Sequence, residues 1–83
     1  MNLGKHGVSF EEAATVFADP RGLEWEDLGH SLLEERMKRL GLSFQHRVLI
    51  VVYTIRRSHE GKEAIRIISA RQASRKEREA YAG

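Results

Sequence analysis

The sequence predicts an α+β domain: a small antiparallel sheet of three to four strands under an N-terminal helix, with a C-terminal helix closing the chain. Three observations carry this. Val48-Leu49-Ile50-Val51-Val52-Tyr53 is apolar without a break, as expected of a central strand. Phe10, Ala13, Ala14 and Phe17 recur at i, i+3, i+4, i+7 behind a Ser9/Glu12 pair with capping-box spacing. Ile65 to Arg71 is rich in β-branched residues and runs straight into Ser74, which stands three residues ahead of Glu77, a second capping box.

Taken in order, Lys5-His6-Gly7 reads as the end of a helical turn, with Gly7 as a left-handed cap. A helix follows from Ser9 and ends before Asp19-Pro20, because proline restricts the residue ahead of it. Phe10 and Phe17 are assigned to the core. Arg21-Gly22 is a turn, and Leu23 to Leu28 a short acidic strand whose Trp25, the only tryptophan, is placed at the core edge rather than against a base. Gly29-His30-Ser31 is another turn. Leu32 to Phe44 admits helical periodicity and a strand alike; the neighbouring elements favour a strand. Gln45-His46 turns the chain into the central strand. Arg56 to Glu63 is a polar hairpin loop around Gly61, so Ile65 to Arg71 runs antiparallel to Val48 to Ile55. The isoleucines at 65, 67 and 68 suit a strand covered on both faces. In an unbroken strand Arg66 and Arg71, an odd number apart, point to opposite faces. On the final helix Arg71, Arg75 and Arg78 align along one side, and Glu77 and Tyr81 form an i, i+4 pair.

Eighty-three residues make one domain, 1–83, with a modest core. There are no cysteines, which excludes disulfides and thiolate metal sites. No apolar run approaches the roughly 20 residues needed to cross a bilayer, and the expectation is a soluble cytoplasmic protein without a membrane partner. A net charge of +2 conceals a division: residues 1–35 carry two Lys/Arg against eight acids, residues 36–83 twelve against four. A basic half points to a polyanion, with nucleic acid first.

No phosphate loop, nucleophile elbow or zinc-ligand cluster is present, and His6, His30, His46 and His59 lack ligand spacing. No cofactor or metal is expected. RNA can be cut without either. That reaction needs a base for the ribose 2′-hydroxyl, cations for the pentacovalent phosphate and an acid for the departing 5′-oxygen. Arginine suits the second role, because its planar fork pairs two phosphate oxygens and stays charged. Glu35-Arg36, Arg47, Arg66, Arg71, Arg75 and Tyr81 supply these types near strand ends and helix starts. The competing reading is that the arginines only solubilise the surface.

Lys5-His6-Gly7-Val8-Ser9-Phe10-Glu11-Glu12-Ala13 resembles the opening of the BrnT family. Glu34-Glu35-Arg36 followed by Gly41, and Arg47-Val48-Leu49 with Val51-Val52-Tyr53, are similar to its middle segment and central strand. Arg66-Ile67-Ile68-Ser69-Ala70-Arg71 with Ala73, Arg75, Glu77, Arg78 and Tyr81 resembles its closing signature. The resemblance implies a RelE-like fold and the toxin of a type II toxin–antitoxin pair: a metal-independent endoribonuclease that inhibits translation. It also implies neutralisation by a BrnA-type antitoxin, with operator DNA bound only through the antitoxin complex. Carried onto this chain, the implied catalytic residues are Glu35, Arg66, Arg71, His6 and Tyr81, and the implied RNA-binding residues Lys5, Arg36, Arg47 and Arg75. Arg66, Arg71 and Arg47 are given to phosphate, Glu35 or His6 to the base, and Tyr81 or Arg75 to orienting or protonating. The family pattern usually opens with a further strand bearing a Trp-Asp pair. This chain begins Met1-Asn2-Leu3-Gly4, so that strand is expected to be absent, leaving a bare sheet edge; three explanations stay open, a misassigned start, a shortened variant, or an edge filled by a second copy in a homodimer. The alternative is a truncated or decayed, non-catalytic homologue that serves as an antitoxin- or RNA-binding module.

Overall fold

A computed structural model describes residues 7–30 and 35–83. Within them the chain forms α1 (Phe10–Thr15), a 3-10 turn (Val16–Ala18), β1 (Leu23–Glu26), a second 3-10 turn (Leu28–His30), β2 (Arg36–Leu42), β3 (Val48–Arg57), β4 (Glu63–Gln72) and α2 (Arg75–Ala82). The sheet is an antiparallel meander in the order β1-β2-β3-β4. The expected α+β architecture and the central position of the apolar strand both hold. The ambiguous segment before Phe44 resolves as strand β2, and the helix proposed ahead of Gly7 lies outside the described residues.

Both long hairpins turn in the same way. Ser43 N donates to Arg47 O, and Ser58 N to Lys62 O, each closing a three-residue loop. Such a loop needs a left-handed residue near its end. His46 (φ 61°) fills that place in one and Gly61 (φ 78°) in the other.

One sheet face carries α1 and the adjoining 3-10 turn. Val8, Ala13 and Val16 pack there on Leu49, Val51 and Ala70, with Phe17 and Ile67 at the margin. Phe17 meets the Tyr53 ring edge-on at 4.9 Å. Gly41 is required here: a Cβ would stand 3.1 Å from Val16 Cβ and 3.2 Å from its carbonyl oxygen. Arg39 staples this layer to the sheet, donating to the carbonyls of Val16 (2.9 Å) and Asp19 (2.7 Å) and pairing with Glu24 at 3.2 Å. The opposite face holds a smaller cluster of Leu40, Ile50 and Ala73, with Val48 and Tyr81, where α2 folds back over one end of the sheet.

Four expectations need correction. The Ser9/Glu12 capping box is half formed: Ser9 Oγ accepts from Glu12 N at 3.0 Å, but the Glu12 carboxylate turns inward to Arg47 and Ser43. Trp25 lies in neither core cluster and is 41% exposed. β4 is not covered on both faces along its length, since its first four residues, Ile65 among them, are exposed; among the described strands it lies at the edge of the sheet. Glu77 pairs with Arg71 and Tyr81 with Asp19, in place of the Glu77–Tyr81 pair.

Glu12 is 1% exposed and is held by Arg47, which donates from both Nε (2.8 Å) and Nη2, and by Ser43 Oγ at 2.6 Å. These bonds, that of Arg47 foremost, hold the carboxyl below its ordinary range against the opposing effect of burial. Arg47→Ala strands that buried charge and is expected to cost about 3 kcal/mol in urea unfolding at neutral pH. Arg47→Ala with Glu12→Gln should recover part of the loss.

Candidate functional site

The site follows from the alternation of strand residues. Leu23, Trp25, Arg36, Lys38 and Leu40 share a face with Val48, Ile50, Val52 and Thr54, as the register pairs Trp25 with Lys38, Lys38 with Val52, and Arg36 with Thr54. This is the α2 face. Glu24 and Glu26 point the other way, and Glu24 accepts from Tyr53 OH and pairs with Arg39 beside Phe17. The sequence Leu-Glu-Trp-Glu thus sends its acids to one face and its apolar side chains to the other.

In β4 the alternation is broken. Val52 pairs with Ser69 but Tyr53 pairs with Ile67, so Ile68 is an extra residue and the strand bulges there. The bulge reverses the parity of everything before it. Arg66 faces Thr54 and Arg71 faces Ile50, and both therefore lie on the α2 face. This corrects the expectation that they oppose one another. Arg36, Lys38, Arg66 and Arg71 share that surface. Thr54 and Ile50 are four residues apart, so Arg66 and Arg71 are separated by about 13 Å at the backbone, enough to hold different phosphates.

Arg71 stands where α2 begins. Its Nη1 and Nη2 donate to Glu77 Oε1 (2.7 Å) and Oε2 (2.9 Å), a bidentate pair. Glu77 Oε1 also accepts from Ser74 N at 2.7 Å, and Ser74 Oγ accepts from Glu77 N at 3.2 Å, so the capping box is complete. The Arg71 guanidinium, ahead of the Ser74 bonds, brings Glu77 down from 4.5 to about 2. Between β2 and β4 the surface dips into a hollow of about 180 Å³ lined by Lys38, Ile50, Val52, Ser69 and Arg71.

The other sequence-predicted residues fall elsewhere. Lys5 and His6 lie outside the described residues. Arg47 is bound to Glu12 on the α1 face. Arg75 pairs with Glu79 at 3.4 Å on an exposed flank of α2. Tyr81 OH donates to Asp19 Oδ2 at 2.5 Å, which raises its pKa; the ring packs beneath α2. Glu35 is exposed at the entrance to β2, and its charge reaches Tyr53 on the α1 face. Arg36 is half-buried at the head of β2. Arg66 makes no hydrogen bond or ion pair with any described residue, so its guanidinium is available to a ligand. Lys38 was not among the candidates; its two-residue spacing from Arg36 in a strand is the signal that could have found it. Among the described residues no group of acids and histidines is placed to hold a metal ion, and no helix is long and apolar enough to cross a membrane.

A family model described as "Ribonuclease toxin, BrnT, of type II toxin-antitoxin system" matches residues 1–77. No curated protein matches the chain.

The depressed Glu77 carboxyl fixes the direction of a pH effect. Its contribution to stability is full above about pH 4.5 and is lost as pH falls toward 2. Glu77→Gln is expected to cost about 1 kcal/mol at pH 7 in urea unfolding and nothing near pH 2. The same loss at both pH values would mean that Glu77 acts by packing and not by charge.

Proposed function

The chain belongs to the BrnT family of type II toxin–antitoxin ribonuclease toxins, and from that premise we propose that it is an endoribonuclease that cuts RNA on the α2 face of its sheet, without a metal. The observation that carries this reading is the placement of Arg66 and Arg71 with Lys38 on one face by the β4 bulge. Three cations across about 10–13 Å of a rigid sheet suit successive phosphates of one strand. In the proposed reaction the 2′-oxygen gives up its proton and attacks phosphorus while the P–O5′ bond breaks. The products are a 2′,3′-cyclic phosphate and a 5′-hydroxyl, which takes up a proton. Arg66 and Lys38 hold the phosphate undergoing substitution, where charge rises as phosphorus becomes five-coordinate. Arg71 exchanges Glu77 for the neighbouring phosphate. Glu35 receives the proton from the end of β2, with His6 as its competitor for that role. Tyr81 positions α2 through Asp19, and Arg36 and Arg75 add positive field.

A family-typical antitoxin of the BrnA type would neutralise the protein by covering this basic face with an acidic or amphipathic helix, and operator DNA would be reached through that partner. Cleavage of RNA in the cytoplasm would inhibit translation and so arrest growth.

A second reading is favoured by one observation: strand alternation turns Glu35 to the face opposite its neighbour Arg36, which pairs with Thr54 on the α2 face, and so away from the cations. On that reading the face binds RNA without cutting it. Incubation with RNA in excess EDTA separates the two. Cleavage that persists in chelator supports the enzyme, and RNA bound but intact supports the binding module.

Arg66→Ala and Arg71→Ala are each expected to slow cleavage at least about 100-fold, whereas Arg75→Ala changes it less than about threefold. Urea midpoints should show Arg66→Ala to be as stable as the parent. Full cleavage in both Arg66→Ala and Arg71→Ala would remove the site. Glu35→Gln set against His6→Asn identifies the base as the variant with the larger loss.

A further inference from the structure

We infer that Trp25 is a stacking platform for an unpaired RNA base, set beside the phosphate that Lys38 holds. The inference rests on the ribonuclease reading and adds a base-binding subsite to it.

Three observations place it there. First, Trp25 is directly opposite Lys38 in the β1–β2 register, and Lys38 lines the hollow with Arg71. The indole therefore projects from the same face as the cations, one strand spacing, about 5 Å, from the lysine backbone. Second, the residue is 41% exposed and belongs to neither hydrophobic cluster, although a core edge was the natural place for a lone tryptophan. Third, the acids on either side, Glu24 and Glu26, point to the opposite face, so no carboxylate of β1 stands between the ring and a phosphate. The alternation that clears the acids from this surface also leaves Leu23 exposed next to Trp25.

Aromatic rings edging a positively charged groove bind single-stranded nucleic acid by stacking bases while the cations follow the backbone. The row Trp25, Lys38, Val52, Ser69 crosses all four strands over about 14 Å. A strand of RNA lying along it puts a phosphate at Lys38 and the attached base on Trp25. Stacking has little preference among the four bases but requires that the base be unpaired. The subsite therefore selects single-stranded over duplex RNA.

Trp25 is the only tryptophan, so emission excited beyond the tyrosine absorption band reports on this position alone. The probes are a short 2′-O-methyl RNA, which lacks the attacking hydroxyl, an abasic oligomer of equal length, and inorganic polyphosphate. The 2′-O-methyl RNA is expected to quench the emission; the other two bind without quenching. Trp25→Ala should weaken the 2′-O-methyl RNA about tenfold with the salt dependence unchanged, since phosphate contacts are kept. Trp25→Phe should restore most of the affinity. Equal quenching by all three probes, or RNA affinity unchanged in Trp25→Ala, overturns the subsite while leaving the cation face intact. Quenching by a purified antitoxin but not by RNA also overturns it, and assigns the ring to a protein interface. Absence of any RNA binding to the parent protein, at low salt, removes the ribonuclease reading and the subsite together.

Discussion

One extra residue in the last strand decides which face the cations occupy. A strand shows its side chains to alternate sides, so Arg66 and Arg71 on a regular β4 would stand back to back. The bulge at Ile68, between the Val52–Ser69 and Tyr53–Ile67 pairs, changes that parity once. It sends Arg66 to the face of Arg71 and turns Ile67 toward the α1 core, where it packs. The backbone irregularity therefore serves the core and the site together. A regular strand that kept Arg66 on the α2 face would need an even spacing to Arg71, and would lose one of the residues between.

The remaining arginines show why composition alone could not locate the site. Arg39 and Arg47 are in the sheet or at its edge, yet both are consumed by the α1 layer. Arg39 is held by the carbonyls of Val16 and Asp19, and Arg47 by the buried carboxylate of Glu12. Removing either leaves polar groups in the interior without partners, which is costly in a domain this small. Their positive charge is largely neutralised locally. The α2 face differs: Arg66 has no partner among the described residues, and Lys38 borders an open hollow. These two groups are open to an anion, whatever the net charge.

The sequence made the elements legible where local chemistry was strong. The unbroken apolar run of β3, the Ser74/Glu77 box and the Gly61 loop each have one good solution, and the structure adopts it. The acidic residues of Leu-Glu-Trp-Glu were visible too, but not that they would turn from the cations, because that depends on which edge of β2 the strand joins. The bulge was illegible for a related reason. Nothing in Arg66-Ile67-Ile68-Ser69-Ala70-Arg71 demands an extra residue, as three of the six are apolar and fit either face. The choice belongs to the partner strand and to the core beneath. Glu12 was read as a cap because its spacing to Ser9 permits one. It is instead the counter-ion of an arginine thirty-five residues away, a contact no local pattern encodes.

Glu77 joins the helix to the site. A single oxygen, Oε1, accepts from both Arg71 Nη1 and Ser74 N, each at 2.7 Å. The bond that starts α2 and the bond that aims the guanidinium thus share an atom. The carboxylate occupies the fork in the bidentate manner a phosphate would adopt, so Arg71 is already shaped and partly desolvated for an anion. A substrate that takes its place gains a pre-oriented donor pair but must displace an internal anion, and it need not break the cap, because Ser74 Oγ still holds Glu77 N at 3.2 Å. Occupation of Arg71 is therefore an exchange of one anion for another, and the net gain is the difference between two charge-assisted pairs. That difference is smaller than either pair alone, so on the proposed reading the unpartnered Arg66 and Lys38 supply most of the grip on an anionic ligand.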